Sequence, residues 1–253
     1  MLLAAKLVLV PCLIAAITLA GARFGPRVAG ALTGLPVVAG PIVLFLAIEQ
    51  GASFAARSAV ATLAGEASLA AFCVLYGWTA PRAPWWASVV VGWLGFFGST
   101  LVLDRSAPSL AAASAVAVVV PVVMLTTMPR MAAATGITDV TRGEIALRMA
   151  AGVGLMLVLT GVAHALGPRL SGLLTVFPIA TTVLAVFSHR AHGYAFAVQL
   201  LRGLALGLYS LTAFFLTLAL VLERLGTTGG FLVAAAAAIA VQAVVLAAVA
   251  RSR

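Results

Sequence analysis

Marked residue by residue as apolar or polar, the chain is a succession of long apolar windows separated by short clusters of Gly, Pro, Arg and Asp. Each window approaches the roughly 20 residues that a helix needs to cross a hydrocarbon core. The windows predict helices near 2–22, 28–48, 57–80, 83–103, 108–129, 145–166, 170–188, 197–222 and 227–250. They are too continuous, and alternate too little, for a transmembrane β-barrel. The expected fold is all-α: a polytopic, multi-pass membrane protein of about nine transmembrane helices, with the lipid bilayer as its first partner.

The same pattern occurs twice. GPRVAGALTGLP (Gly25 to Pro36) and GPRLSGLLTVFP (Gly167 to Pro178) agree at seven of twelve positions. The offset of 142 residues also pairs Phe45 with Phe187, Gly51 with Gly193, Phe54 with Phe196, Gly65 with Gly207, and Lys6 with Arg148. Such an internal duplication governs the rest of the reading. It divides the chain into a first four-helix repeat (1–105), a linking helix and cytoplasmic loop (106–143), and a second four-helix repeat (144–253). One helix between two four-helix units turns the second unit over, giving a 4+1+4 inverted-topology repeat, an arrangement common in secondary transporters. If the Pro121-broken middle helix does not span, the repeats are parallel instead. The uncharged run from Leu110 to Pro129 favours spanning.

Composition and charge refine this picture. With 64% hydrophobic and 8% charged residues, the chain is not an ordinary soluble domain. The net charge of +9 is spread singly over helix ends, with no basic run, so it does not indicate a nucleic-acid partner. The positive-inside rule accounts for it instead. Nine spans place Arg23, Arg27, Arg82, Arg130, Arg142, Arg148, Arg190, Arg202, Arg251 and Arg253 on one side, against Lys6, Arg57, Arg105, Arg169 and Arg224 on the other. The charge asymmetry therefore puts the C-terminus in the cytoplasm and the N-terminus outside, and the expected location is the cell inner (plasma) membrane. LAGA near Ala22 resembles a weak signal-peptide site, but residues 2–22 match an internal span, 144–164, so the first helix is expected to be retained. Cys12 and Cys73 fall inside spans and read as small core residues. Trp85 and Trp86 read as an interfacial belt and Trp93 as a packing residue. Arg202, at the start of an apolar span, is expected to snorkel to the surface. Thr141 or Asp139 is placed to cap the helix after the linker.

Candidate chemistry lies in the interruptions. Gly-Pro-Arg suits a helix start, with Pro in a first-turn position that needs no amide hydrogen. Pro36 and Pro178 fall near the middle of the second window of each repeat, accompanied by Thr33, Gly34, Gly40 and Pro41 in one copy and by Thr175, Thr181 and Thr182 in the other. Paired Gly/Pro-interrupted helices point to a transporter's binding site, though kinks that serve packing are the simpler alternative. Glu66 stands about 13 Å along the helix axis from Arg57. An ionisable group at that depth is costly unless it faces a cavity or a partner, and it suits reversible protonation. Its repeat partner is Leu208, so its role is not duplicated. The alternative is a protonated Glu bonded within a helix interface. Glu49, His189 and His192 at helix ends are candidates for gating.

SGLLTVFPIATTVLAVFSHRAHG, Ser171 to Gly193, resembles the Gly-Leu…Phe-Pro…Gly pattern of the small GlpM-like bacterial inner-membrane proteins. Leu35 stands where the second copy has Phe177. The resemblance implies a fused pair of such four-helix units. No nucleophile–base spacing, metal-ligand cluster or phosphate loop is visible, so no enzyme, metal or cofactor is expected. Two functions remain: a secondary transporter or exporter of a small molecule or ion, proton-coupled through Glu66, or a non-transporting assembly or regulatory factor of the membrane. Self-association into a homo-oligomer is left open.

Overall fold

The computed structural model describes residues 2–37, 39–106, 108–131, 140–173 and 177–251, the side chains of 2–7, 9 and 159–173 excepted. Among the described residues all regular structure is helical: α1 (Leu2–Phe24), α2 (Pro26–Thr33), α3 (Ala39–Gln50), α4 (Ala52–Thr79), α5 (Trp85–Ser106), α6 (Leu110–Thr127), α7 (Arg142–Leu173), α8 (Ile179–His192) and α9 (Tyr194–Arg251). Four of these, α4, α5, α6 and α9, are long and apolar enough to cross a membrane. Their outer faces carry bare aliphatic side chains, such as Leu94 at 67% and Val244 at 69% exposure. An apolar exterior on this scale belongs to a protein embedded in lipid.

Helix ends follow from local chemistry. Gly25, at φ 84°, closes α1 through its amide to Gly21 O (2.8 Å) and hands the chain to Pro26 at the first position of α2. Gly51 (φ 90°) and Gly193 (φ 82°), 142 positions apart, make the same left-handed step before α4 and α9. Side chains with a Cβ avoid that region, which explains why Gly stands at all three joints. Ser109 Oγ accepts from the Ala112 amide (3.3 Å) to start α6, and Thr141 Oγ1 accepts from the Glu144 amide (3.2 Å) to start α7. Asp139, the alternative cap, lies outside the described residues.

Several expected elements differ in extent. The window 28–48 is not one helix but α2 and α3, because Pro36 supplies no amide and the chain turns over Gly34 to Val37. Helix α7 continues from the expected span 145–166 through the second Gly-Pro-Arg to Leu173. The last two expected helices run together as α9 and meet at Gly226, whose φ of 68° is non-helical. Cys73 is buried as expected, whereas Cys12 lies on the exposed face of α1. Arg202 does not snorkel outward. Its Nη1 donates to the carbonyls of Leu125 (3.0 Å) and Met128 (2.9 Å), filling acceptors that the end of α6 leaves open.

Helix α4 is the centre of the bundle, packed on α3, α5, α6, α7 and α9. Helix α2 lies against α9 at backbone contact. A Cβ on Gly30 would fall 1.8 Å from Leu200 O, one on Gly34 2.2 Å from Gly207 C, and one on Gly203 2.2 Å from Arg27 O. Gly30 with Gly34, and Gly203 with Gly207, each form a small-xxx-small pair, the arrangement that lets helices in lipid pack backbone to backbone. Contacts of Tyr76 with His189 and of Arg190 with Trp85 gather the end of α4, the start of α5 and the end of α8 at one pole of the molecule.

Candidate functional site

Glu66 sits on α4 with 0% exposure, in a stretch of small residues, Ala59, Ala64, Gly65 and Ser68, that lets neighbouring helices close over it. Thr212 of α9 faces it. The Thr212 Oγ1 atom is 2.8 Å from Glu66 Oε2 and 2.9 Å from the carbonyl oxygen of Leu208. A hydroxyl has a single hydrogen, and the Leu208 carbonyl can only accept. A neutral Glu66 satisfies both contacts: its own O–H goes to Thr212, and Thr212 donates to Leu208. The other carboxyl oxygen, Oε1, is buried without a hydrogen-bond partner among the described residues.

The broken helix pair α2–α3 reaches the same part of α9. Gly34, which caps α2, meets Gly207, and Gly40, at the second position of α3, lies against the Phe214 ring (3.3 Å from an added Cβ to Cζ). The α9 stretch from Gly207 to Phe214 thus carries the interruption on one side and Glu66 on another. Of the residues expected to line a pathway, Thr33 is half-buried and turns its hydroxyl back to the Ala29 carbonyl (2.8 Å). Pro36 lies in the turn itself, and its carbonyl accepts from the Gly40 amide (2.8 Å). Pro41 is at the third position of α3, where a missing amide costs little. The carbonyl of Ala31, in the last turn of α2, accepts from the Gly34 amide (3.3 Å) and also from Gln242 Nε2 (3.2 Å), and Gln242 Oε1 is buried without a partner among the described residues.

The second interruption is placed elsewhere. Pro178 caps α8, and Thr181 and Thr182 are buried just beyond it. Trp93 of α5 donates to Thr182 Oγ1 (3.2 Å), and Phe177 is enclosed by Trp93, Phe96 and Phe97 with ring centroids 5.2 to 5.8 Å apart. These contacts tie the described end of the second interruption, Phe177 to Thr182, to α5. Thr175 lies outside the described residues. Glu49 is exposed at the end of α3. His189 is partly buried, its Nδ1 3.1 Å from the Tyr76 hydroxyl, and His192 stacks obliquely on Phe196 with centroids 4.8 Å apart.

Three functional candidates had no separate signal in the sequence. Thr212 is one hydroxyl in an apolar helix, identified only by the contact across to α4. Gln242 falls in an alanine-rich stretch. Arg148 counted as one boundary charge among many, yet it is 3% exposed. Among the described residues no group of three or more His, Cys, Asp or Glu is arranged to hold a metal ion.

No protein-family model, curated protein or solved structure matches the chain. The likeness to the GlpM-like proteins therefore rests on the phrase from Ser171 to Gly193 alone.

Proposed function

We propose that this protein is a small secondary transporter or exporter of the bacterial inner membrane, moving a small solute and coupled to protons through Glu66. The observation that carries the proposal is the fully buried Glu66 carboxyl, whose Oε1 lacks a partner among the described residues, beside the α9 stretch that also meets the broken α2–α3 pair. Intramembrane carboxyls are functional by default because an idle one is a net cost. Exchanging a proton at Oε2 would release Thr212 to bond the carboxylate and break its bond to Leu208, so protonation and the local geometry of α9 are linked. The proposal includes the 4+1+4 inverted-topology repeat, with two fused GlpM-like units and the C-terminus in the cytoplasm. It is supported by the paired left-handed joints at Gly51 and Gly193 and by α6, an unpaired helix of spanning length between the halves.

The sealed packing around Glu66 favours a second reading, a non-transporting assembly or regulatory factor in which the carboxyl only bonds two helices. On the transport reading the same packing is an occluded conformation. Cells producing wild-type protein or Glu66→Gln at equal levels separate the two. Transport expects at least one small solute whose internal-to-external ratio shifts with the wild type and returns to the background value with the variant. Identical solute profiles would favour the second reading.

A further inference from the structure

Glu66 stands between two unlike halves of its own helix. Toward the start of α4 a hydroxyl recurs at four-residue spacing, at Thr62 and then Ser58, so the three side chains follow one face. Each step is about 6 Å along the axis. Burial deepens in the same order: Ser53 and Arg57 are exposed, Ser58 is half-buried, Thr62 is 1% exposed and Glu66 0%. Helical side chains lean toward the N-terminus of their helix, which inclines the Glu66 carboxyl toward Thr62. Thr62 Oγ1 donates to the Ser58 carbonyl (2.9 Å) and Ser58 Oγ to the Phe54 carbonyl (3.1 Å), so both hydroxyls keep lone pairs that can accept. Toward the other end of α4 the same face offers Leu69, Ala70 and Cys73, all buried and none with a side-chain oxygen, before Tyr76 meets His189 near the pole. Across the helix interface Thr212 is the polar contact of Glu66, and no charged side chain among the described residues acts on it.

Helix α3 lies along the polar half. Its second residue, Gly40, lies against Phe214, two residues beyond Thr212, so α3 starts near the depth of Glu66. It ends at Gln50, just before Gly51 (φ 90°) turns the chain into α4. Only 12 residues long, it packs mainly on α4 and less on α9, with the Pro36 turn before it and the Gly51 joint after it. Joints at the ends of an element are where a hinged segment takes up its rotation.

We propose that Glu66 exchanges its proton with the pole at which α4 begins, along Thr62 and Ser58, with α3 as the movable cover of that path. This rests on the reading of Glu66 as a proton-coupling carboxyl, and adds its route and its side. When α3 swings away, water reaches the two hydroxyls. The carboxyl O–H bond breaks, its electron pair stays on Glu66, and the proton passes to that water and leaves as hydronium. Thr62 and Ser58 hold the water and act as positioning residues.

The test is hydrogen–deuterium exchange at Glu66 in the purified full chain in lipid, at a pH where the carboxyl is protonated. After transfer to heavy water, infrared spectra follow the shift of the carbonyl band that Glu66→Gln lacks. Thr62→Val keeps the side-chain shape, removes one hydrogen bond from the hydrated path, and should slow the shift about tenfold. Thr62→Ser should keep the wild-type rate, and Tyr76→Phe, toward the other pole, should leave it unchanged. In a Cys12→Ala background, a small charged methanethiosulfonate should label Thr62→Cys and spare Cys73. An unchanged rate in Thr62→Val, a slower one in Tyr76→Phe, or labelling of Cys73 ahead of the introduced thiol would overturn the route and leave the proton reading intact. No exchange in the wild type would overturn both.

Discussion

The hydroxyl of Thr212 bridges two oxygens, 2.8 Å from Glu66 Oε2 and 2.9 Å from Leu208 O, and so joins α4 to the α9 residue that the sequence repeat aligns with Glu66 itself. A double-mutant cycle measures that link. Thr212→Val removes the hydroxyl at constant shape, and Glu66→Leu copies the side chain of the other half. Hydrogen bonds between membrane helices are worth about 0.6 kcal/mol on average and at most about 1.7. The two changes should be coupled by an energy in that range in reversible unfolding. Strict additivity would mean that the bond adds nothing to the fold.

The close approach of α2 and α9 makes a sharper prediction. Gly203→Ala places a methyl group 2.2 Å from the Arg27 carbonyl, and neighbouring backbone cannot yield as a flexible side chain would. It should lower stability by about 1–3 kcal/mol, the usual cost of overpacking. Gly98→Ala, with nothing among the described residues within 4 Å of the new Cβ, is the control. It should be neutral or slightly stabilising, because Ala favours a helix. Thermal unfolding of both variants in one detergent checks the contrast.

These two contacts also mark what the sequence could and could not reveal. Windows of apolar residues located α4, α5 and α6 within a few residues, because lipid requires long uninterrupted helices. Pro36 and Pro178 were visible as interruptions, since proline lacks an amide wherever it stands. The depth of Glu66 followed from counting residues along one helix. Hidden were features that depend on which helix faces which. Thr212 gains meaning only from packing on α4, and Arg148 reads as a boundary charge until Phe187 and Glu144 are seen around it. The second Gly-Pro-Arg looked identical to the first, yet α7 runs through it whereas α2 begins there.

The interruption after α2 can be tested by Pro36→Ala. The new residue supplies an amide in a turn that lacks one, which should leave thermal stability equal or higher. If the gap serves transport, the solute ratio maintained by the wild type should fall to background. Pro41→Ala, in the first turn of α3, should leave both unchanged. Full activity in Pro36→Ala would make the gap a packing feature.

Topology is open to direct measurement. A reporter fused after Arg253 should be cytoplasmic, and one at Met1 should be external. A cysteine placed in the Arg82 turn should share the side of the C-terminus and resist a membrane-impermeant label applied from outside. Both termini on one side would contradict the inverted repeat and favour the parallel one.

The central claim is that Glu66 exchanges a proton, and infrared difference spectroscopy on the purified protein in lipid tests it without knowledge of the solute. The carbonyl stretch of a protonated, buried carboxyl should be present at low pH, fall away as pH rises, and be missing throughout in Glu66→Gln. A band assigned to Glu66 that persists unchanged across the pH range in which the protein stays folded would contradict the account, leaving the carboxyl as a fixed bond between α4 and α9.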